Sequence, residues 1–187
     1  MRNARFLEKD YRDMLITTDE SSIKTMTPTP PEKYNWSRLN RLQLGKFAEY
    51  LVKMEFVLYG CDVFSSEVDD HGIDFVIRTK AGNHFDVQVK SFRVIPGKNT
   101  PYVFLEKQKF QIHSSRLLVL VHFVINQPPT LYLLPSSVNG EPNPLFVSRD
   151  YGEGRQSAPE WGMTLSKRNI ERLSQESAFH IVVDTLI

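Results

Sequence analysis

The chain has 187 residues, of which 41% are hydrophobic and 24% charged, and its formal net charge at pH 7 is +1. This composition is ordinary for a globular protein, and the near-neutral charge removes any global argument for nucleic-acid binding. The one cysteine, Cys61, excludes an internal disulfide and a Cys-x-x-Cys metal site. No apolar run reaches the roughly 20 residues that span a bilayer, and the charged start is unlike a secretory signal. We therefore expect a cytoplasmic protein with no membrane partner.

Residues 1–36 are predicted to be a mobile N-terminal extension. Their stretch TTDESSIKTMTPTPPEKYN is polar and proline-rich and has no hydrophobic periodicity, a composition typical of linkers. Residues 37–187 are long enough for one domain with a buried core. At the boundary, Ser37 is the predicted N-cap of a helix that ends at Gly60.

That helix is predicted to bury an apolar stripe and to carry a glutamate at the margin of the stripe. At 100° per residue, one face of the helix carries five apolar residues: Leu44, Phe47, Ala48, Leu51 and Leu58. Glu49 lies beside this face. A glutamate in that position is either a solvated flank residue or part of a site at the edge of the core, and the helix alone leaves both open.

Short extended segments follow the helix, and two of them form a predicted hairpin. Residues 73–79 and 84–92 both alternate between apolar and polar side chains and are joined by Lys80-Ala81-Gly82-Asn83. Further strands are expected over 102–106, 117–125 and 130–134. Residues 139–163 are then predicted to be loops, 166–176 a helix, and 179–186 a strand or an ordered tail. This order predicts a mixed α/β sandwich around one central sheet.

The second hairpin strand carries a polar row that is unusual for so apolar a segment. With a period of two, Asp86, Gln88 and Lys90 share one face of the strand. The preceding strand places Asp74 at its start, so we expect Asp74 to lie near this row. Mg²⁺ and Mn²⁺ take oxygen ligands from carboxylates and carbonyls, and a nearby lysine stabilises charge at the attacking water and the phosphorane. Together these residues predict a phosphodiesterase site.

The same residues resemble the PD-(D/E)XK nuclease superfamily, which has the restriction-endonuclease-like fold. The resemblance runs from Gly45 to about Leu134 and includes Gly45-Lys46-Phe47-Ala48-Glu49, Gly72-Ile73-Asp74-Phe75 and Gln88-Val89-Lys90-Ser91. It is closest to the branch whose third motif reads Q-x-K, found in some Mrr-like enzymes and in one group of homing endonucleases. The C-terminal stretch also looks like uncharacterised bacterial proteins of this type. The resemblance implies an α/β/α sandwich with a central mixed sheet over residues 37–187.

The resemblance also implies a role for each residue of the site. Asp74 would be the central metal ligand, and Gln88 would add its side-chain carbonyl together with the main-chain carbonyl of Val89. Glu49 would complete the site or hold a second ion, and Lys90 would orient or polarise the water. The implied function is a Mg²⁺- or Mn²⁺-dependent endonuclease that cleaves nucleic acid, with DNA as the expected substrate. Such nucleases often act as homodimers. Because Gln88 replaces the more common acidic residue, we expect weaker metal binding.

A local excess of positive charge favours a nucleic-acid surface. Between residues 76 and 116, eight lysines and arginines stand against two acidic residues. Aromatic residues alternate with cations over 91–109, as phosphate contact combined with base stacking requires. The alternative is a solvated basic face. The residues predicted to contact nucleic acid are Lys46, Arg93, Lys98, Lys107 and Lys109.

Two other functions fit the same sequence. Gln88 and the near-neutral charge allow a catalytically weak or inactive nuclease-fold module that binds nucleic acid or a protein partner. The extension allows a regulatory partner in a defence or mobile-element system, with residues 1–36 as a docking arm. Metal binding that depends on Asp74 separates the endonuclease from the inactive module, and co-purification that requires the arm identifies the regulatory partner.

Overall fold

The computed structural model describes residues 33–65, 72–95, 97, 99–151 and 157–186. A short 3-10 helix (Trp36–Arg38) precedes helix α1 (Arg41–Leu58). The predicted helix start at Ser37 is wrong, because Asn40 caps α1. Its side chain accepts a hydrogen bond from the Gln43 backbone N–H, and the Gln43 side chain accepts one from the Asn40 backbone, which satisfies two donors at the helix start. Residues 1–32 of the predicted extension lie outside the described residues.

The strands follow α1 in a regular succession: β1 (Asp62–Phe64), β2 (Phe75–Arg78), β3 (His84–Arg93), β4 (Tyr102–Glu106), β5 (Arg116–Phe123), β6 (Thr130–Pro135), β7 (Ser137–Val138), β8 (Glu141–Pro142), β9 (Val147–Arg149) and β10 (Glu160–Thr164). Helices α2 (Lys167–Glu176) and α3 (Phe179–Leu186) come after β10. The strand or tail predicted over 179–186 is therefore wrong, since these residues are helical and bury Phe179 and Val183 one turn apart. None of the helices in the described ranges is both long and apolar enough to cross a membrane.

A five-stranded mixed sheet in the order β1-β2-β3-β5-β6 forms the centre of the fold. β2 and β3 are antiparallel, with Phe75 opposite Val87 and Arg78 opposite His84, which confirms the predicted hairpin. β3 and β5 run parallel, whereas the outer pairs β1–β2 and β5–β6 are antiparallel. β5 is buried along its whole length because it is covered on both faces of the sheet. The predicted mixed α/β architecture with a central mixed sheet is confirmed.

Helices α1 and α3 cover one face of the central sheet. The inward residues of α1 repeat every four positions and are Leu44, Ala48, Val52 and Phe56. The predicted inward stripe is thus right for Leu44 and Ala48 and wrong for Leu58, which is exposed. Phe47 is partly exposed but packs its ring against Trp36 and Phe123 of the core. A four-residue repeat advances slightly further than one helical turn, so the contact line with the sheet winds around α1 and leaves Leu58 outside.

The opposite face of the central sheet is covered by a three-stranded antiparallel sheet and by α2. This second sheet has the order β4-β10-β9, and its buried residues pack with those of α2 against Leu118, Leu120 and Leu134 of the central sheet. Strands β8, β9 and β10 lie in the segment predicted to be loops, and β10 pairs with β4 along its entire length. The loop prediction is therefore wrong for these strands. Strand β10 pairs with the distant β4, so local composition carries little signal for it. Strand β8 is a two-residue strand that pairs with its neighbour β7 across a short turn.

Candidate functional site

A cleft of about 540 Å³ opens where β3 continues beyond the last residue paired with β2 and faces the first turns of α1. Its walls include Arg41, Lys46, Glu49, Val89, Lys90 and Ser91. Gly45 also lines the cleft, and a Cβ added to it would meet no heavy atom within 4 Å. The cleft therefore brings Glu49 from the helix together with Val89 and Lys90 from the strand.

Asp74 is held against β3 by two hydrogen bonds. Its backbone N–H donates to the Val87 carbonyl at 2.9 Å, and its carboxylate accepts from the Val89 backbone N–H at 2.6 Å. Because Phe75 pairs with Val87, Asp74 comes to lie beside Gln88 across the open end of the hairpin. The carboxylate is thus fixed next to the middle of β3, in the place that the hairpin pattern predicts.

Gln88 is a buried polar side chain in the middle of β3. Its carbonyl oxygen, Oε1, has no hydrogen-bond partner within the part of the chain that the structure describes. Its amide nitrogen, Nε2, lies close to the backbone of Gly72, since a Cβ added there would be 3.3 Å away. An unpaired buried carbonyl is unfavourable by about 1–3 kcal/mol. Such an oxygen is well suited to bind a divalent cation, and it lies beside Asp74.

Glu49 is half-buried and forms an ion pair with Lys46, one turn earlier on α1. The hydrogen bond to Glu49 is the main cause that raises the pKa of Lys46 above its ordinary value. Partial burial opposes this, while the charges of Glu49, Tyr50 and Asp74 act in the same direction as the hydrogen bond. Two carboxylates, on α1 and at the start of β2, therefore act electrostatically on one ammonium group. The negative potential that attracts Lys46 is the potential that attracts a metal cation.

Arg116 has a structural role that the pattern of the sequence does not predict. Its side chain is 3% exposed and donates hydrogen bonds to the carbonyls of Gly72 at 2.8 Å and Lys109 at 3.0 Å. Burial lowers the pKa of Arg116, and the charges of Asp86 and Asp74 partly offset this. The guanidinium joins the turn before Asp74 to the segment after β4. The available signal is an arginine at the start of a strand that is apolar apart from His122.

Lys46 and Lys109 are the predicted nucleic-acid contacts that lie at the candidate site. Lys46 lines the cleft. Lys109 packs beside Gly72, whose other close neighbour is the Gln88 amide, and it pairs with Glu106 at 3.1 Å on the surface. Exposed ion pairs are weak, so both ammonium groups are available to exchange their carboxylate for a phosphate.

Two of the other predicted nucleic-acid contacts, Lys107 and Arg93, are not brought to the cleft. Lys107 forms an ion pair with Asp150 at 2.8 Å on the second sheet. Arg93 donates a hydrogen bond to the Trp36 carbonyl at 2.7 Å, so it helps to attach the 3-10 helix to the end of β3. Lys98 lies outside the described residues. The basic surface at the candidate site is therefore smaller than the sequence predicts.

The groups that could hold a metal ion at the site are the side-chain oxygen of Gln88, the main-chain carbonyl of Val89 and the carboxylates of Asp74 and Glu49. Among the described residues, no three side chains of the types His, Cys, Asp and Glu converge as a metal centre. Oxygen donors of low total charge suit Mg²⁺ or Mn²⁺, which retain several waters, better than Zn²⁺, which prefers nitrogen and sulfur.

Compared with protein-family models and with curated proteins, the chain matches none.

We predict that Arg116→Met destabilises the fold by about 3 kcal/mol, because it removes the buried guanidinium that donates to the carbonyls of Gly72 and Lys109. Arg172→Met is the matched control: Arg172 pairs with Glu176 on the exposed surface of α2, and its loss is expected to change stability by less than about 0.5 kcal/mol. Urea denaturation measures both. Equal stabilities for the two variants would contradict the role assigned to Arg116.

Proposed function

We propose that this protein is a metal-dependent endonuclease that hydrolyses phosphodiester bonds of nucleic acid, with DNA as the expected substrate. The observation that carries the proposal is the buried, unpartnered side-chain oxygen of Gln88 within the described chain, beside Asp74 and next to a cleft with Lys90 and Glu49. We also propose that the sandwich is of the restriction-endonuclease-like type. This rests on the resemblance and on the central mixed sheet with its helix-covered face.

A Mg²⁺ or Mn²⁺ ion fits the residues present. Asp74 and Gln88 supply a carboxylate and an amide oxygen, Val89 supplies its main-chain carbonyl, and Glu49 completes the site. When bound, the ion neutralises charge on the phosphate and lowers the pKa of a coordinated water. The two carboxylates carry less charge than the acidic sets of high-affinity sites, so we expect weak binding and one ion rather than two.

The protein's own cations act on the nucleic acid. Lys90 lines the cleft, and its ammonium group orients the attacking water and stabilises the negative charge of the phosphorane. Lys46 and Lys109 bind the neighbouring phosphates and position the backbone without reading sequence. The hydrogen bond from the Val89 N–H keeps the Asp74 carboxylate oriented, so its position does not depend on the substrate.

A cleavage assay tests the proposal. Duplex, branched and single-stranded DNA and RNA are incubated with Mg²⁺ or Mn²⁺ and either the wild type, Lys90→Ala or Lys80→Ala. Lys80 is exposed in the turn at the far end of the hairpin, so Lys80→Ala is the matched control. We expect Lys90→Ala to lower kcat by about 10²–10³ and Lys80→Ala to leave it unchanged.

A wild type that cleaves nothing, or one that the Lys90 variant equals, would contradict the proposal. It would favour the alternative, a catalytically inactive module of the same fold that binds nucleic acid or a protein partner. The specific observation behind that alternative is the internal pairing of the site, since Glu49 binds Lys46 and Asp74 binds the Val89 N–H. A cytoplasmic location and assembly as a homodimer remain expectations.

Gln88 stands where the motif of this nuclease superfamily more commonly has an acidic residue, and restoring the acid tests its role as a ligand. Gln88→Glu adds a carboxylate at the metal ligand and should strengthen Mn²⁺ binding by on the order of tenfold. Gln127→Glu, on an exposed loop, adds the same charge elsewhere and should leave the affinity unchanged. Isothermal calorimetry measures both. A Gln88 variant that binds Mn²⁺ no more tightly than the Gln127 variant would show that Gln88 is not a ligand.

A further inference from the structure

A second cleft, of about 730 Å³, lies between the ends of β3 and β5 and the start of α2. Apolar side chains form most of its wall, and the lining includes Val94, His122, Ile125, Leu165, Lys167 and Ile170. Its size lies within the roughly 300–1,000 Å³ of typical small-ligand sites. None of the residues assigned to phosphodiester hydrolysis lines it.

His122 places a hydrogen-bonding group in this apolar cleft. Its ring is stacked on Phe92 with centroids 4.5 Å apart and lies 6.5 Å from the Tyr132 ring. Phe92 lies on β3 directly opposite His122 and covers one face of the imidazole. Tyr132 lies on β6 diagonally across from His122, on the other side of β5. The residue is only 9% exposed, and its Nε2 atom has no hydrogen-bond partner in the described ranges.

The charge state of His122 decides which ligands suit it. Burial lowers the pKa of His122 below its ordinary value, so the ring is neutral at pH 7. A neutral imidazole has one N–H donor and one acceptor nitrogen. An unpaired buried nitrogen is unfavourable, and a ligand that supplies a single directed hydrogen bond removes this penalty. The cleft therefore favours a flat, largely apolar group with a polar edge.

Strand β3 connects this cleft to the proposed catalytic residues. Lys90, Phe92 and Val94 alternate along one face of the chain: Lys90 lines the first cleft, Phe92 stacks on His122, and Val94 lines the second cleft. Four residues of extended chain span about 13 Å. A nucleotide close to the phosphate held at Lys90 lies within this distance.

We propose that the second cleft receives one unstacked nucleobase of the nucleic acid whose phosphodiester bond lies at Lys90, and that the edge of His122 reads a polar group of this base. The inference rests on the proposed nuclease function. A nucleobase is planar, with apolar faces and a hydrogen-bonding edge, which are the properties that the apolar wall and His122 select. The cleft thereby gives the enzyme a base preference that phosphate contacts alone do not supply.

The test combines a protein change with a substrate change. His122→Phe keeps the aromatic stack with Phe92 and removes both ring nitrogens. The substrates are oligonucleotides of one cleavable sequence, intact or with a single abasic site at each position next to the mapped cut. We expect one abasic position to lower the wild-type kcat/KM by about tenfold. His122→Phe should lower kcat/KM on the intact strand by a similar factor and should cause no further loss on that abasic strand.

The inference would be overturned if the His122→Phe and abasic losses of kcat/KM multiplied as independent effects. It would also be overturned if no abasic position lowered kcat/KM. Ile125→Trp supplies a second variant, because it fills the cleft from its partly exposed wall and should abolish the difference between intact and abasic strands. Val138→Trp, at an exposed residue away from this cleft, should preserve that difference. Failure of the nuclease proposal shows as no cleavage of any strand, and both proposals then fall. If this inference alone fails, the protein cleaves intact and abasic strands with the same kcat/KM.

Discussion

The hydrogen bond from the Val89 backbone N–H to the Asp74 carboxylate joins the start of β2 to the middle of β3. Asp74 lies just before β2, and the backbone hydrogen bonds between β2 and β3 do not fix the direction of its side chain. This bond fixes the carboxylate next to Gln88, and Arg116 holds the preceding turn through the Gly72 carbonyl. Helix α1 brings Lys46 and Glu49 to the same open end of the hairpin. These two residues can therefore act together with Asp74 and Gln88 only while this hydrogen bond keeps β2 and β3 aligned.

Local patterns predict those parts of the fold whose partners are close in sequence. The β2–β3 hairpin follows from its alternation and its glycine-containing turn, and residue parity then places Gln88 correctly. Ser37 and Asn40 are both residue types that cap helices well. Asn40 is the cap of α1 because it forms the capping box with Gln43. Strand β10 pairs with β4, more than 50 residues away, so tertiary contacts determine it. Helix α3 is similar, since its apolar run is compatible with a strand or a helix.

The candidate site is predictable in its positions but not in its environment. Parity and the hairpin bring Asp74 to β3, yet they say nothing about the oxygen of Gln88, which is buried and has no hydrogen-bond partner among the described residues. The pairing of Lys46 with Glu49 follows from their spacing of three residues on one helix. The roles of Arg116 and His122 come from the packing of distant elements around β5, the buried apolar strand in which these are the two polar residues.

Locating a bound paramagnetic ion tests the central claim, that Asp74, Gln88 and Val89 form a metal centre, most directly. Substoichiometric Mn²⁺ is added to ¹⁵N-labelled protein, and the loss of each backbone amide signal is followed. We expect the earliest losses at Asp74 and at residues 88–90, and we expect Asp74→Ala to remove this local effect while the fold persists. Losses centred on another part of the chain, or the same losses in the Asp74 variant, would contradict a metal centre at this site.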